Sequence, residues 1–544
     1  MGLISGHSFI SIMATPKQDS VRKRPPNFRI EIPGDDILKI RILEKIQQVK
    51  SCLTSKYNKP VNNGIIIEDL LDFWNKYHHE NDNDNERHPF PSTYSQVKRK
   101  DVDQGLFIAT ESSIVTYGEI CEAHTSICKG KLKLAKRTME GHVVSIRLSC
   151  TKDKSHSYLW SSSPYLPNDE YLVNHRINHA FVSSGLLPVH YTRFATAAGI
   201  GCISKERRSK FFGKYKDHAQ NECVNSIDNA VNDEIASYEE LDGINIMTDA
   251  RHGWRKNSKD TSVVALGEQT HKVMDCVHIT KSQDKVAQRH ERLGTQNIYE
   301  NMESKNVSIK IHTHDRNMAV NKFVKETQFT TNQNDLWHAV KAVKKSVSKV
   351  SKGAKFSEGL SWSQQLADKV EPIATHISWS VRNCDENPQK LKESLDNVIE
   401  HYCNNHANCH NTSRCKRDSN YEPSRIVINN GKAKNMLENV IRKSTIYQHP
   451  QDYILGKDTF YVESFNNVMN IFQDKRICFG DEQYKFRSDL AVCHWNENVD
   501  RGYTSIWKSS NPNAPATQEG KKVYKQLTYN YRQNIWNRYI SSFY

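Results

Sequence analysis

Residues 243–326 constrain the fold most, because the spacing of apolar residues changes period there in a fixed order. Residues 243–248 form a short apolar run that leads into Asp249. Two further strand-like runs follow, at 261–267 and 272–280. After a polar stretch of helical character, residues 306–313 alternate Val307, Ile309 and Ile311 and end at His314 and Asp315. Residues 317–326 then set Ala319, Phe323 and Val324 at helical spacing. A period of two marks a strand and one near 3.6 marks a helix. The segment therefore reads as three strands, a helix, a fourth strand and a second helix, an α/β pattern.

That order is the one used by the RNase H-like fold, and it puts an aspartate on the first strand and another at the end of the fourth. The placement suits phosphodiester chemistry. Two Mg²⁺ or Mn²⁺ ions ~4 Å apart can activate an attacking oxygen and stabilise a leaving one. Such hard cations want oxygen ligands, which makes Asp249 and Asp315 candidates. A third carboxylate is expected from a later helix. Residues 459–472, TFYVESFNNVMNIF, give an apolar helical face of Val462, Phe465, Val468, Met469 and Phe472, and Glu463 lies beside it. Asp335 and His338 form an Asp-x-x-His motif after a fifth strand candidate, opening a basic helix. Asp335 also reads as that helix's N-cap.

Around this core the chain is long and basic. Its 544 residues allow about three or four domains, and its formal charge is +14. A balance this basic points to an anionic partner, with nucleic acid the first candidate. No apolar run approaches the ~20 residues of a membrane-spanning helix, so no membrane association is expected. Thirteen scattered cysteines suit a reducing compartment better than a disulfide framework. The N-terminus lacks the charge order of a secretory signal, and Gly6 breaks a near-match to a myristoylation signal.

Residues 1–27 read as a basic disordered tail ending in Arg22-Lys23-Arg24-Pro25-Pro26, either a nuclear import signal or a solvated tail. Residues 28–77 read as a small strand–helix–helix unit. That is the order of ribbon–helix–helix DNA binders, though a plain helical hairpin fits as well. Residues 78–104 are a linker by composition, and 105–235 a β-rich piece to about 150 followed by helices. The core then occupies 236–338 and 456–515, interrupted at 339–455 by an all-helical insertion. About 120 residues separate His338 from Glu463, too many for a simple connection. Residues 516–544 form a basic, aromatic tail.

Two basic segments are candidate DNA contacts. Residues 205–216 carry Lys205, Arg207, Arg208, Lys210 and Lys214 with Phe211, Phe212 and Tyr215 interleaved. Cations can hold phosphates and aromatics can stack on bases. The helix after His338 carries Lys341, Lys344, Lys345 and Lys349 opposite an apolar face. A solvated face accounts for either segment equally. In residues 401–415, Cys403, His406, Cys409 and Cys415, with His401 and His410 as alternates, have the softness and close spacing of a zinc site. A surface loop with incidental Cys and His is the other reading.

Residues 106–507 resemble Kolobok-type DNA transposases. The matching segments are TDARHGW at 248–254, HTHDRNMAVNKFV at 312–324, NQNDLWHAVKAVKK at 332–345, YVESFNNVMNIFQDKRICF at 461–479 and LAVCHWNENVDR at 490–501. MEGH at 139–142, LWSSSP at 159–164 and a helix ending near Leu187 fall where that family has similar pieces. The resemblance implies an RNase H-like core and an Asp-Asp-Glu triad at Asp249, Asp315 and Glu463, with Asp335 and His338 as an accessory motif. It also implies Mg²⁺-dependent cut-and-paste transposition in the nucleus, with DNA and further copies of the chain as partners. A domesticated DNA-binding protein without catalysis is the alternative, and a nuclease that cuts without joining a third. The chain departs from the family where members carry cysteines, having Phe107-Ile108-Ala109-Thr110 and Met139 there. No zinc is therefore expected at His142.

Overall fold

The computed structural model describes residues 106–240, 242–253, 259–353, 361–507 and 520–544. The basic tail, the strand–helix–helix unit and the linker at 1–104 lie outside the described residues. The rest is a mixed α/β structure in which no described helix is long and apolar enough to cross a membrane.

Described chain begins with helix α1 (Glu111–Ile127), then a three-stranded antiparallel sheet of β1 (Leu132–Glu140), β2 (Val143–Cys150) and β3 (Ser157–Ser161). The β-rich expectation for 105–150 therefore fails over α1. Thr110 explains why: its hydroxyl accepts from Ser113 N–H at the N-cap, and Glu111 occupies the first turn. Capping of this kind outweighs the β-preference of the adjacent Ile114, Val115 and Thr116.

Helices α2 (Leu172–Ser183), α3 (Pro188–Ala198) and the long α4 (Lys205–Ala236) follow. Next come β4 (Ile244–His252), β5 (Asp260–Gly267), β6 (Val273–Thr280), α5 (His290–Ser304), β7 (Ile309–His314), α6 (Met318–Glu326) and β8 (Thr331–Asn334). The five strands form one sheet in the order β6-β5-β4-β7-β8. Neighbours among β4, β5 and β6 are antiparallel, whereas β4–β7 and β7–β8 are parallel.

Side chains alternate across a sheet, and the two faces of this one bury against different partners. Ile244, Ile246, Val263 and Ala265 pack with Ile298 and Met302 of α5. Met247, Val264 and Leu266 face the other way, against α14 (Phe460–Phe472), α15 (Asp481–Asn498), α4 and the C-terminal α16 (Asn530–Ser541). The strictly buried β5 is the consequence of having helices on both sides.

Between β8 and α14 lies a separate helical body with its own apolar core. It contains α7 (Leu336–Ser351), α8 (Ser361–Ala367), α9 (Val370–Arg382), α10 (Pro388–Tyr402), the short α11 (Arg414–Arg417), α12 (Gly431–Arg442) and α13 (Thr445–Gln448). Val343, Val347, Ile373, Ile377, Leu391 and Leu437 are among the residues at its centre. Its two ends meet: Leu336 N–H donates to Lys457 O at 3.0 Å. The chain thus leaves the sheet and returns to it at one point.

Residues 501–544 contain an exposed hairpin of β9 (Tyr503–Trp507) and β10 (Lys521–Tyr524), then α16. Tyr531, Ile535 and Tyr539 of α16 are buried in the main core, so helix packing explains these two tyrosines, whereas Tyr524, Tyr529 and Tyr544 are exposed.

Candidate metal-binding carboxylate site

Strand register brings the first acids together. In the parallel pairs Thr248 lies opposite His314, and His314 opposite Asn334. One step further along each strand stand Asp249, Asp315 and Asp335. Adjacent strands are about 4.8 Å apart, so three aspartates sit in one row, Asp249 within β4 and Asp315 and Asp335 just past the ends of β7 and β8. Two buried histidines brace this row. His312 pairs with Thr248 Oγ1 at 2.7 Å and Tyr299 Oη at 3.0 Å. His314 pairs with Asn332 Oδ1 at 2.9 Å and with the backbone oxygen of Asp315.

The last acid arrives on α14, whose two stripes explain its docking. Val462, Phe465, Met469 and Phe472 enter the main core. A polar stripe of Glu463, Asn466, Asn470 and Gln473 repeats at helical spacing and faces the end of β4. Asn466 Nδ2 donates to Asp249 Oδ2 at 2.7 Å. The buried Arg251, two residues along β4 and so on the same face, donates to Asn470 Oδ1 at 2.8 Å and Gln473 Oε1 at 3.0 Å. Of this stripe the sequence reading picked out only Glu463.

His338 lies at the centre. Its Nδ1 is 3.3 Å from both Asp315 Oδ1 and Asp335 Oδ1, and its Nε2 is 3.4 Å from Glu463 Oε1. Asp335 is also the N-cap of α7, accepting from His338 N–H at 2.7 Å. Its second oxygen takes two bonds from Thr459, at 2.8 Å from the backbone N–H and 2.6 Å from the hydroxyl. Asp335 is buried and fully engaged, while Asp315 and Glu463 keep exposed oxygens. The cap reading of Asp335 is therefore borne out, and the same carboxylate also stands 3.3 Å from His338 Nδ1.

Burial pushes the Asp249 carboxyl up to about 7, and the charges of Asp315, Glu291 and Glu463 push it the same way. Asp315 is raised too, by burial above all, with the charge of Asp335 adding and His338 opposing. Glu291, in the first turn of α5, is a further acid at this site that no local pattern singles out. Burial raises it to about 7 and Asp315 adds to the shift, while an Asn317 Nδ2 bond of 2.7 Å opposes it. Its partners lie far off in sequence and no spacing marks it.

The other predicted sites fare differently. In 205–216, Phe211 and Tyr215 are buried in the main core, so these aromatics are not free to stack on bases. Arg207 pairs with Glu140 and Lys210 with Glu170, the latter at 2.9 Å. Arg208 lies 5.2 Å from the Tyr191 ring centre and Lys214 5.9 Å from that of Phe543; Lys205 is exposed. On α7, Lys341, Lys345 and Lys349 are exposed at i, i+4 and i+8, whereas Lys344 pairs with Glu371 at 2.5 Å. His142 is buried between Tyr191 Oη at 2.7 Å and Ile200 O at 3.0 Å.

In the Cys/His segment the set that gathers is His401, His406, Cys409 and Cys415. Cys403 is not among them. It lies two residues after His401, about 200° around the helix, and packs against the helical body's own core. His401 Nδ1 is 3.2 Å from His406 Nδ1, 3.5 Å from Cys409 Sγ and 3.8 Å from Cys415 Sγ. Tetrahedral bonds of ~2.0–2.3 Å require ligand separations of about 3.3–3.8 Å, so these atoms could hold a metal ion.

Fold and site together define an α/β protein in which Asp315, Asp335 and His338 bring ligand atoms within 4.8 Å of one another and could hold a metal ion, with Asp249 and Glu463 outside that group. Neither a protein-family model nor a curated protein matches this sequence.

Proposed function

We propose that the chain is a nuclear DNA transposase, or a host protein descended from one, with an RNase H-like core and the helical body as an insertion. The resemblance to Kolobok-type transposases suggests this reading. The observation that carries it is the row of Asp249 and Asp315 on adjacent parallel strands, closed by Glu463 from α14. Acids whose burial, and secondarily mutual repulsion, raises their affinity for protons are a site short of positive charge, which fits divalent cations.

Mg²⁺ or Mn²⁺ bound there would supply activation of the attacking oxygen and stabilisation of the leaving one. The protein's own part is positioning. Asn466 fixes the Asp249 carboxylate, Thr459 fixes Asp335, and Asp335 with Asp315 orients His338 between the strand acids and Glu463. The exposed Trp337 begins a stripe continued by Lys341, Lys345 and Lys349. It runs outward from the site along α7 and suits a DNA backbone, whose phosphates bind cations without regard to sequence. Zinc at His401, His406, Cys409 and Cys415 is part of the same proposal, with homo-oligomeric assembly on paired DNA ends.

The test is Mg²⁺-dependent cleavage of duplexes carrying candidate element ends, by wild type and by Glu463→Gln. Cleavage and joining by wild type with loss of both in the variant is the expected result. Equal cleavage by the two proteins overturns the mechanism, and cleavage without joining makes the protein a nuclease.

A further inference from the structure

A second four-residue cluster lies far from the carboxylates, where α1 meets the β2–β3 hairpin. His124 and Cys128 come from the last turn and C-cap of α1, Cys150 ends β2, and His156 immediately precedes β3. One ligand atom from each lies within 4.8 Å of the other three. The sulfurs of Cys128 and Cys150 are 3.7 Å apart. That is far too long for a disulfide and matches the ~3.7 Å edge of a tetrahedron with bonds of ~2.3 Å.

Three further observations point inward to the same centre. His124 Nε2 and His156 Nδ1 are buried without a hydrogen-bond partner, although buried ring nitrogens are ordinarily paired. Each sulfur accepts a backbone N–H from two residues on, Gly130 to Cys128 and Lys152 to Cys150, both at 3.3 Å. The other nitrogen of His156 is 3.6 Å from Asp153 Oδ2, a carboxylate placed as those that orient metal-binding histidines. Gly130 belongs to the same construction, since a Cβ there would stand 2.3 Å from Cys150 Sγ.

The helix itself buries little of its surface. Only Ser113 and His124 of α1 are buried, whereas Ile114, Val115 and Ile127 are exposed. Near its start, Trp160 Nε1 donates to Ser113 O at 2.6 Å; at its end the cluster meets the sheet, beside an edge contact of the His124 ring with Tyr158 of β3 at 5.9 Å.

We propose that His124, Cys128, Cys150 and His156 form a structural zinc site that clamps α1 to the β2–β3 hairpin. Two thiolates and two imidazoles are the soft, closed donor set of structural zinc. The sequence hides it because the spacing is His-x3-Cys followed by Cys-x5-His.

The test measures zinc in the purified full-length chain by elemental analysis, in wild type, Cys128→Ser/Cys150→Ser and Cys409→Ser/Cys415→Ser. The last variant removes the other Cys/His cluster and should retain one zinc per chain. Cys128→Ser/Cys150→Ser should hold one fewer than wild type and become cleavable by protease near residues 127–131. Should that variant not fold, Co²⁺ loaded into Cys409→Ser/Cys415→Ser is the second measurement, expected to give thiolate charge-transfer and tetrahedral visible bands. Zinc content unaltered by Cys128→Ser/Cys150→Ser overturns the proposal. So does a Cys409→Ser/Cys415→Ser protein without zinc or cobalt bands, or a Cys128–Cys150 disulfide found by mass spectrometry.

Discussion

Asn466 donates its side-chain N–H to Asp249 at 2.7 Å, joining α14 to β4 across 217 positions. Asp249 Oδ1 in turn accepts from Ala250 N–H at 2.7 Å, so the two bonds together fix the orientation of the carboxylate. Asn466→Ala should weaken Mn²⁺ binding by about 10–100-fold, the usual effect of losing a partner behind a metal ligand. Isothermal titration calorimetry measures it, and unaltered affinity would show that Asp249 needs no orienting partner.

The raised Asp249 and Glu291 carboxyls make the metal-free protein sensitive to pH. A carboxyl raised in the folded state binds its proton more tightly there than in the unfolded chain. Its stabilisation is complete below the ordinary carboxylate range near pH 4 and is lost as pH rises towards about 7. Metal-free Tm should therefore fall across that window, and the Tm gain from Mg²⁺ should grow across it. Asp249→Asn should flatten both trends in thermal melts at stepped pH; slopes identical to wild type would refute the assignment.

The lysines of α7 divide into two kinds. Lys341, Lys345 and Lys349 are exposed in one stripe, while Lys344 is engaged with Glu371. Replacing the first three with Ala should lower the slope of log affinity against log salt by about 2.7, at ~0.9 per lost phosphate contact. Lys344→Ala should leave the slope within error of wild type. Fluorescence anisotropy of a labelled duplex at several salt concentrations reads both.

Gly294 in α5 faces Val263 of β5, and a Cβ there would lie 2.4 Å from Val263 Cγ2. Alanine is the better helix former by ~1 kcal/mol, yet Gly294→Ala should destabilise by roughly 1–3 kcal/mol because the pair is already in contact. Urea unfolding decides, and a more stable variant would contradict the packing described.

Wherever one period governed a segment, the sequence disclosed the structure. The strands bearing Asp249 and Asp315 and the helix bearing Glu463 lie within a few residues of their expected places, because each has one face committed to a core. The failures share a different cause. Glu291, the Asn466–Asn470–Gln473 stripe and the His124 cluster acquire meaning only through partners from distant elements, and no local spacing carries that information. Cys403 was misplaced because proximity in sequence stood in for direction around a helix. Phe211 and Tyr215 were offered to bases because a basic helix has an inner face as well, and that face belongs to the core.

The meeting of Leu336 with Lys457 also governs what a ribosome releases along the way. When residue 335 has emerged, the strand row is complete, yet Glu463 is about 130 codons away, roughly 6–26 s at ordinary elongation rates. During that interval Met247, Val264 and Leu266 have no α14 or α15 to cover them. A polypeptide cut short by a late stop codon keeps the aspartates but wears this bare apolar face permanently. Exposed apolar surface of that kind is what makes partly folded chains prone to aggregation and dependent on chaperones.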